Sequence, residues 1–184
     1  MRSLSRLTLA LGFAAVAVAV AGAQMEMEPY KGTAEFEQLK SLIGTWEGEM
    51  PMEGKGGDAQ HQDMSPMKVT LEYRLTAGGS AIQETFSPGT PMEMITMYHD
   101  RGGRLSLTHY CMLGNQPRMD LEGSGEGHLK FTFSKQNDLD RSEGTQMCGL
   151  ELSFVDDNSI TQRWTTVKDG AELPSRDMHL TRVQ

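Results

Sequence analysis

Leu42-Ile43-Gly44-Thr45-Trp46-Glu47-Gly48 divides the chain: the residues after it read as β-strand, and most of those before it read as leader or helix. Gly44 permits a tight backbone turn, and the Trp46 indole is a large apolar plug with a single donor, suited to closing one end of a barrel. The stretch therefore predicts where a helix gives way to the first strand of a sheet wound around that indole.

Upstream, Thr33 is placed to cap a helix running to Ile43, with Phe36, Leu39, Leu42 and Ile43 on one face. Glu35 and Glu37 fall in its first turn and Lys40 in its last, as the helix dipole favours. This short helix is expected to cap one end of the barrel. Gln24 to Gly32 is a polar lead-in. Residues 1–23 have the form of a signal peptide: Arg2 and Arg6, the apolar run Leu7 to Val20, and a small-residue cleavage site at Ala21-Gly22-Ala23. The run is short for a membrane span, and no later stretch approaches the ~20 apolar residues a spanning helix needs. A secreted or periplasmic protein starting at Gln24, with no membrane span, is expected.

Loss of the leader reduces 184 residues to 161, and the formal charge moves from −8 to −10 because the leader holds two arginines and no acid. That length suits one domain with its own core, from residue 33 to residue 184. An acidic chain without a basic cluster repels phosphate backbones, which argues against nucleic acid as a partner. No feature sets an oligomeric state. The chain has 14 methionines, a soft residue that fills gaps in cores and can also ligate copper(I).

Downstream, Thr45 to Met50 is the first strand, and Pro51 to Pro66, rich in glycine and without periodicity, is a long flexible loop. Val69, Leu71, Tyr73 and Leu75 then alternate with polar residues, the period of a half-buried strand. Ser80 to Phe86 returns. Met92 to His99 and Arg104 to Cys111 form a hairpin across Asp100-Arg101-Gly102-Gly103, which sets His109 opposite Met94 and Cys111 opposite Met92. Gln116 to Leu121, His128 to Ser134, Thr145 to Val155, Ser159 to Val167 and Arg176 to Val183 complete the sheet, with a glycine-rich turn at Glu122 to Gly127. About ten antiparallel strands predict an all-β, closed up-and-down barrel, wide enough inside to leave a pocket.

The inward faces carry the candidate chemistry. Leu105, Leu107, His109 and Cys111 share one face, and counting back by twos from Phe154, Leu152 and Leu150 reaches Cys148. Three readings stay open. Cys111 and Cys148 could form a disulfide, stabilising by roughly 4 kcal/mol on the chain-entropy model. His109, Cys111, Cys148 and a methionine such as Met94 could hold copper(I) or zinc. Or these are ordinary buried residues beside an organic ligand. Glu84 shares a face with Ile82 and Phe86, and a buried carboxylate could act as acid or base unless Arg118 or Arg163 neutralises it. No Gly-x-Ser-x-Gly, phosphate loop or His-Glu-x-x-His is present.

Phe36 to Gly48, Leu71 to Gly89 with its Ala77-Gly78-Gly79-Ser80 turn, and above all Leu107-Thr108-His109-Tyr110-Cys111-Met112-Leu113-Gly114-Asn115-Gln116-Pro117-Arg118-Met119 resemble a family of exported bacterial proteins of unknown function. That family is thought to be calycin-like and is distantly similar to nitrobindin-type haem-binding barrels. The resemblance implies a barrel with a polar pocket and no known activity. Histidine is common in the family where this chain has Met92 and Cys148. For haem, the resemblance offers only His179 on the last strand.

The reading is thus an exported barrel that binds a small apolar or amphipathic ligand without catalysis, with Tyr73, Glu84, His109, Cys111, Arg118 and Trp164 lining or guarding the pocket. The alternatives are a metal or haem protein using the His/Cys/Met set or His179, and an envelope enzyme with Glu84 or His109 as base.

Overall fold

The computed structural model describes residues 30–50, 66–100, 102–175 and 177–183. The leader, the lead-in as far as Pro29 and all of the expected loop except Pro66 lie outside the described residues.

Helix α1 (Ala34–Lys40) starts as expected, the Thr33 hydroxyl accepting the Phe36 N–H, and buries Phe36 and Leu39. The Asp100 carboxylate seats its N-terminus, accepting the Thr33 N–H at 2.6 Å and hydroxyl at 3.0 Å. The helix ends at Lys40 rather than at Ile43. The Ser41 N–H turns back to the Gln38 and Leu39 carbonyls, and the Arg182 guanidinium takes the carbonyls of Ser41 at 2.6 Å and Ile43 at 2.9 Å. A side chain from the far end of the chain thus satisfies the carbonyls that the last turn leaves open. Leu42 is buried by this turn, whereas Ile43 is exposed.

The strands are β1 (Gly44–Met50), β2 (Met67–Thr76), β3 (Ala81–Phe86), β4 (Met94–Asp100), β5 (Leu105–Tyr110), β6 (Arg118–Gly125), β7 (His128–Phe133), β8 (Thr145–Asp156), β9 (Ser159–Lys168), β10 (Ala171–Glu172) and β11 (Asp177–Arg182). Each is antiparallel to its neighbour, and β11 returns to β1, from Trp46 opposite Arg182 to Glu49 opposite His179. The two-residue β10 and β11 follow one another along β9, so they form one interrupted strand of a closed ten-strand barrel. Glu172 faces Val167 and Asp177 faces Arg163, which leaves four residues of the last strand spanning three of β9. Pro174, which cannot donate to a ladder, sits in this gap.

Trp46 is the plug. It is buried, its Nε1–H donates to the Leu42 carbonyl at 2.8 Å, and the Arg182 guanidinium covers its ring at 4.3 Å. With α1 over the same end, the barrel is closed there and open at the other. The core between is aliphatic and aromatic, including Leu71, Ile82, Leu107, Phe131, Leu152 and Leu180.

Several boundaries differ from those expected. β4 runs on to Asp100, so the hairpin slips by two residues and His109 faces Thr96 rather than Met94. A slip of two keeps every side chain on its face. β5 stops at Tyr110, which leaves Cys111 beyond the strand and no partner for it at Met92. β6 continues through Gly123 and Gly125, so the turn expected at Glu122 to Gly127 contracts to Glu126-Gly127, with an irregularity at Glu122. Leu75, at the end of β2, is exposed.

Candidate ligand-binding site

The open end holds a cavity of about 290 Å³, walled by Met50, Met92, Met94, Met147 and Met178 together with Phe86, Trp164, Thr166, Pro174 and Ser175, and with Glu84, Gln162 and His109 as its polar groups. The interruption between β10 and β11 contributes to this wall through Pro174 and Ser175. Inward positions recur every two residues along each strand, which is how side chains from several strands converge on one cavity.

Glu84 lies deepest. It is 2% exposed and paired across the sheet with Tyr73. Its carboxylate accepts the Tyr98 hydroxyl at 2.6 Å, the Gln162 amide at 3.1 Å and the Tyr73 hydroxyl. Gln162 also donates to the Tyr73 oxygen at 2.5 Å and accepts the Trp164 Nε1–H at 3.0 Å. Burial raises the Glu84 carboxyl above the usual carboxylate range while the three hydrogen bonds oppose it. Burial and the neighbouring Glu84 push both tyrosines well above their ordinary value. All three donors are neutral. Arg118 and Arg163, expected as neutralising partners, are elsewhere: Arg163 forms a two-pronged pair with Asp177, at 2.7 and 2.9 Å.

His109 stands above this network. Its Nδ1 is 3.0 Å from the Thr96 hydroxyl, and its ring lies 4.9 Å from the Trp164 ring, centroid to centroid. The residue is 3% exposed, and Nε2 is buried with no hydrogen-bond partner among the described residues. Burial lowers its pKa from 6.5 to about 4, so the ring is neutral at ordinary pH. A neutral imidazole with Nδ1 engaged presents Nε2 as either an acceptor or a donor, according to tautomer.

Of the residues expected at the pocket, the structure brings together Tyr73, Glu84, His109 and Trp164, with Tyr73 in the layer beneath the cavity wall. Arg118 is on the outer face, because its neighbour Met119 is the one turned inward, and it shares a shallow groove with Arg104, Ser106 and Asp120. Cys111 sits in the turn after β5, half-buried, its N–H donating to the Asn115 carbonyl. Cys148 occupies a bulge between Met147 and Gly149, which resets the alternation so that Met147 lines the cavity instead. The Cys148 thiol is 3.6 Å from the Arg141 guanidinium, and burial raises its pKa.

Both cysteines are free thiols, so the disulfide reading fails in this structure. The thiolate-based metal set fails as well: among the described residues no three His, Cys, Asp or Glu side chains are grouped so as to hold an ion. His179, the haem candidate, is exposed on the outer face beside the Thr161 hydroxyl, because Met178 and Leu180 point inward. It cannot serve a group inside the barrel.

Sequence reasoning missed Gln162, Tyr98, Thr96 and most of the methionines. Gln162 was within reach, since it lies two residues before Trp164 and therefore on the same face.

No protein-family model and no curated protein matches the chain. Among solved structures, the chain is similar to the crystal structure of Rv2717c from M. tuberculosis, with 12% sequence identity and a TM-score of 0.46, the match covering 84% of this chain and 100% of that one.

Proposed function

We propose that the chain is an exported, non-catalytic barrel that takes one small, partly apolar ligand into the cavity at its open end, with a polar atom of the ligand hydrogen-bonded to His109 Nε2. The observation that carries this is the orphaned nitrogen itself. A buried polar atom without a partner costs about 1–3 kcal/mol, and a ligand that supplies the partner recovers it. The rest of the wall is mostly thioether and aromatic, which suits an apolar body, and methionine side chains adapt to its shape.

Features that favour binding over catalysis lie in the same network. Glu84 is engaged by three donors, and Thr96, the hydroxyl nearest the imidazole, is buried and not part of the cavity wall. Export rests on the leader read from residues 1–23, and it agrees with the resemblance to exported calycin-like barrels.

Indole, 4-methylphenol and 1-octanol, titrated singly while tryptophan emission is followed, form the test. Trp164 reports from the cavity wall and Trp46 from the closed end. At least one probe is expected to give a saturable change that vanishes in Trp164→Phe and weakens roughly tenfold in His109→Leu, the loss of one hydrogen bond. No saturable response to any of the three, or an undiminished affinity in His109→Leu, overturns the reading.

A further inference from the structure

The methionines at the open end are unusual for a packed core in where they come from. Met50 ends β1, Met94 begins β4, Met147 is on β8 and Met178 on β11, so sulfur converges on one cavity from four separate strands. Met178 is buried, while the others are only partly so, their side chains facing the cavity. His109, 3% exposed and with Nε2 unpartnered among the described residues, lines the same cavity.

Met94 and Met147 flank His109 by register. His109 faces Thr96, and Met94 is the next inward residue along β4. On the other side, the Trp164 ring touches the imidazole, Thr166 is the next inward residue of β9, and Met147 is its cross-strand partner, the Thr166 hydroxyl lying 3.2 Å from the Met147 sulfur. Diagonal neighbours on one sheet face are within reach of long side chains.

We propose that the cavity mouth holds a soft monovalent d10 ion, copper(I) or its analogue silver(I), on His109 Nε2 and the thioethers of Met94 and Met147. Thioether and imidazole donors are neutral and soft, which suits copper(I). Zinc draws on thiolate, imidazole or carboxylate and calcium on carboxylate, whereas this cavity is lined by one imidazole, no thiol, and one carboxylate, Glu84, already engaged by three donors. The Trp164 ring, 4.9 Å from the imidazole and tilted 47° to it, sets an aromatic neighbour beside the +1 charge left on the ion. This inference uses the same nitrogen as the ligand-binding reading but does not need an organic ligand to exist.

The test uses the full exported chain in a Cys111→Ser/Cys148→Ser background, so that thiolates cannot bind the metal. Copper(I) is offered anaerobically against bathocuproine disulfonate, with indole binding measured in parallel. One equivalent is expected to bind with quenching of Trp164 emission, and zinc is not expected to compete. Met94→Leu/Met147→Leu conserves apolar volume and should keep the fold, verified by its melting transition. Loss of the two thioether donors is expected to lower copper(I) affinity roughly a hundredfold. Failure of the thiol-free protein to take copper(I), or unchanged affinity in the leucine pair, overturns the metal site. If indole still binds in that case, the ligand reading stands alone. If neither copper(I) nor any of the organic probes binds, both readings are overturned.

Discussion

The Trp164 indole N–H donates to Gln162 Oε1 at 3.0 Å, and because an indole nitrogen can only donate, this contact fixes which end of the Gln162 amide faces which way. The NH₂ group is thereby turned toward Tyr73 and Glu84. Replacing Gln162 by Glu keeps the shape, removes both donors and sets a second carboxyl beside a buried one. The variant is expected to lose about 3 kcal/mol of stability at pH 8. Two carboxyls in one site share a proton as pH falls, so the loss should shrink at pH 5.5. Urea unfolding at both pH values checks this, and an equal loss at both would mean the carboxyls do not interact.

Burial of His109 gives stability a pH dependence whose sign follows from proton counting. The folded ring stays neutral down to about pH 4, whereas the unfolded ring protonates near 6.5. Between those values the unfolded state binds more protons, so stability rises with pH and is lost as pH falls through the window. The full difference is worth about 3 kcal/mol. His109→Gln removes the titration. Denaturation curves at pH 7.5, 5.5 and 4.5 should show the wild type losing most of that amount relative to the variant, and parallel curves would place the imidazole in contact with water.

The parts of the fold legible in the sequence were those set by local periodicity. The alternation through Val69, Leu71 and Tyr73 and through Leu105, Leu107 and His109 marked faces that the barrel keeps, and Thr33 marked the helix start. Non-local pairing was out of reach. The two-residue slip that puts Thr96 rather than Met94 opposite His109 depends on where β4 ends, and turn residues Asp100 to Gly103 permit both registers. The bulge at Cys148 is likewise invisible, although it exchanges a thiol for the Met147 thioether at the cavity. Counting by twos holds only along an unbroken ladder, which explains why Glu84 and His109 keep their expected faces and Cys148 does not.

The two thiols should differ in reactivity. Cys111 is half-exposed in a turn, whereas Cys148 is buried and its pKa is raised chiefly by that burial, with Arg141 opposing. Since the thiolate is the reactive form, dithionitrobenzoate is expected to label Cys111 in the folded protein at least about ten times faster than Cys148. The single serine variants assign the two phases. Under denaturing, non-reducing conditions both thiols should titrate. Finding none would restore the disulfide that this structure lacks.

Closure of the barrel depends on one residue without a side chain. A Cβ on Gly48 would collide with the His179 carbonyl oxygen and stand 3.0 Å from the Leu180 side chain. The carbonyl belongs to the backbone of β11, so it cannot rotate away, and the strand itself must move. That strand carries the pairings that join the last strand to the first, with Gly48 opposite Leu180 and Trp46 opposite Arg182. Gly48→Ala is therefore expected to cost about 3 kcal/mol or more, in contrast to less than about 0.5 for Glu47→Ala at the neighbouring exposed position. Amide exchange locates the damage: protection should fall first along β1 and β11, while β5, β6 and β7 on the opposite wall keep theirs. Uniform loss around the barrel would mean that the sheet opens as one unit and that the β1–β11 seam is no weaker than the rest.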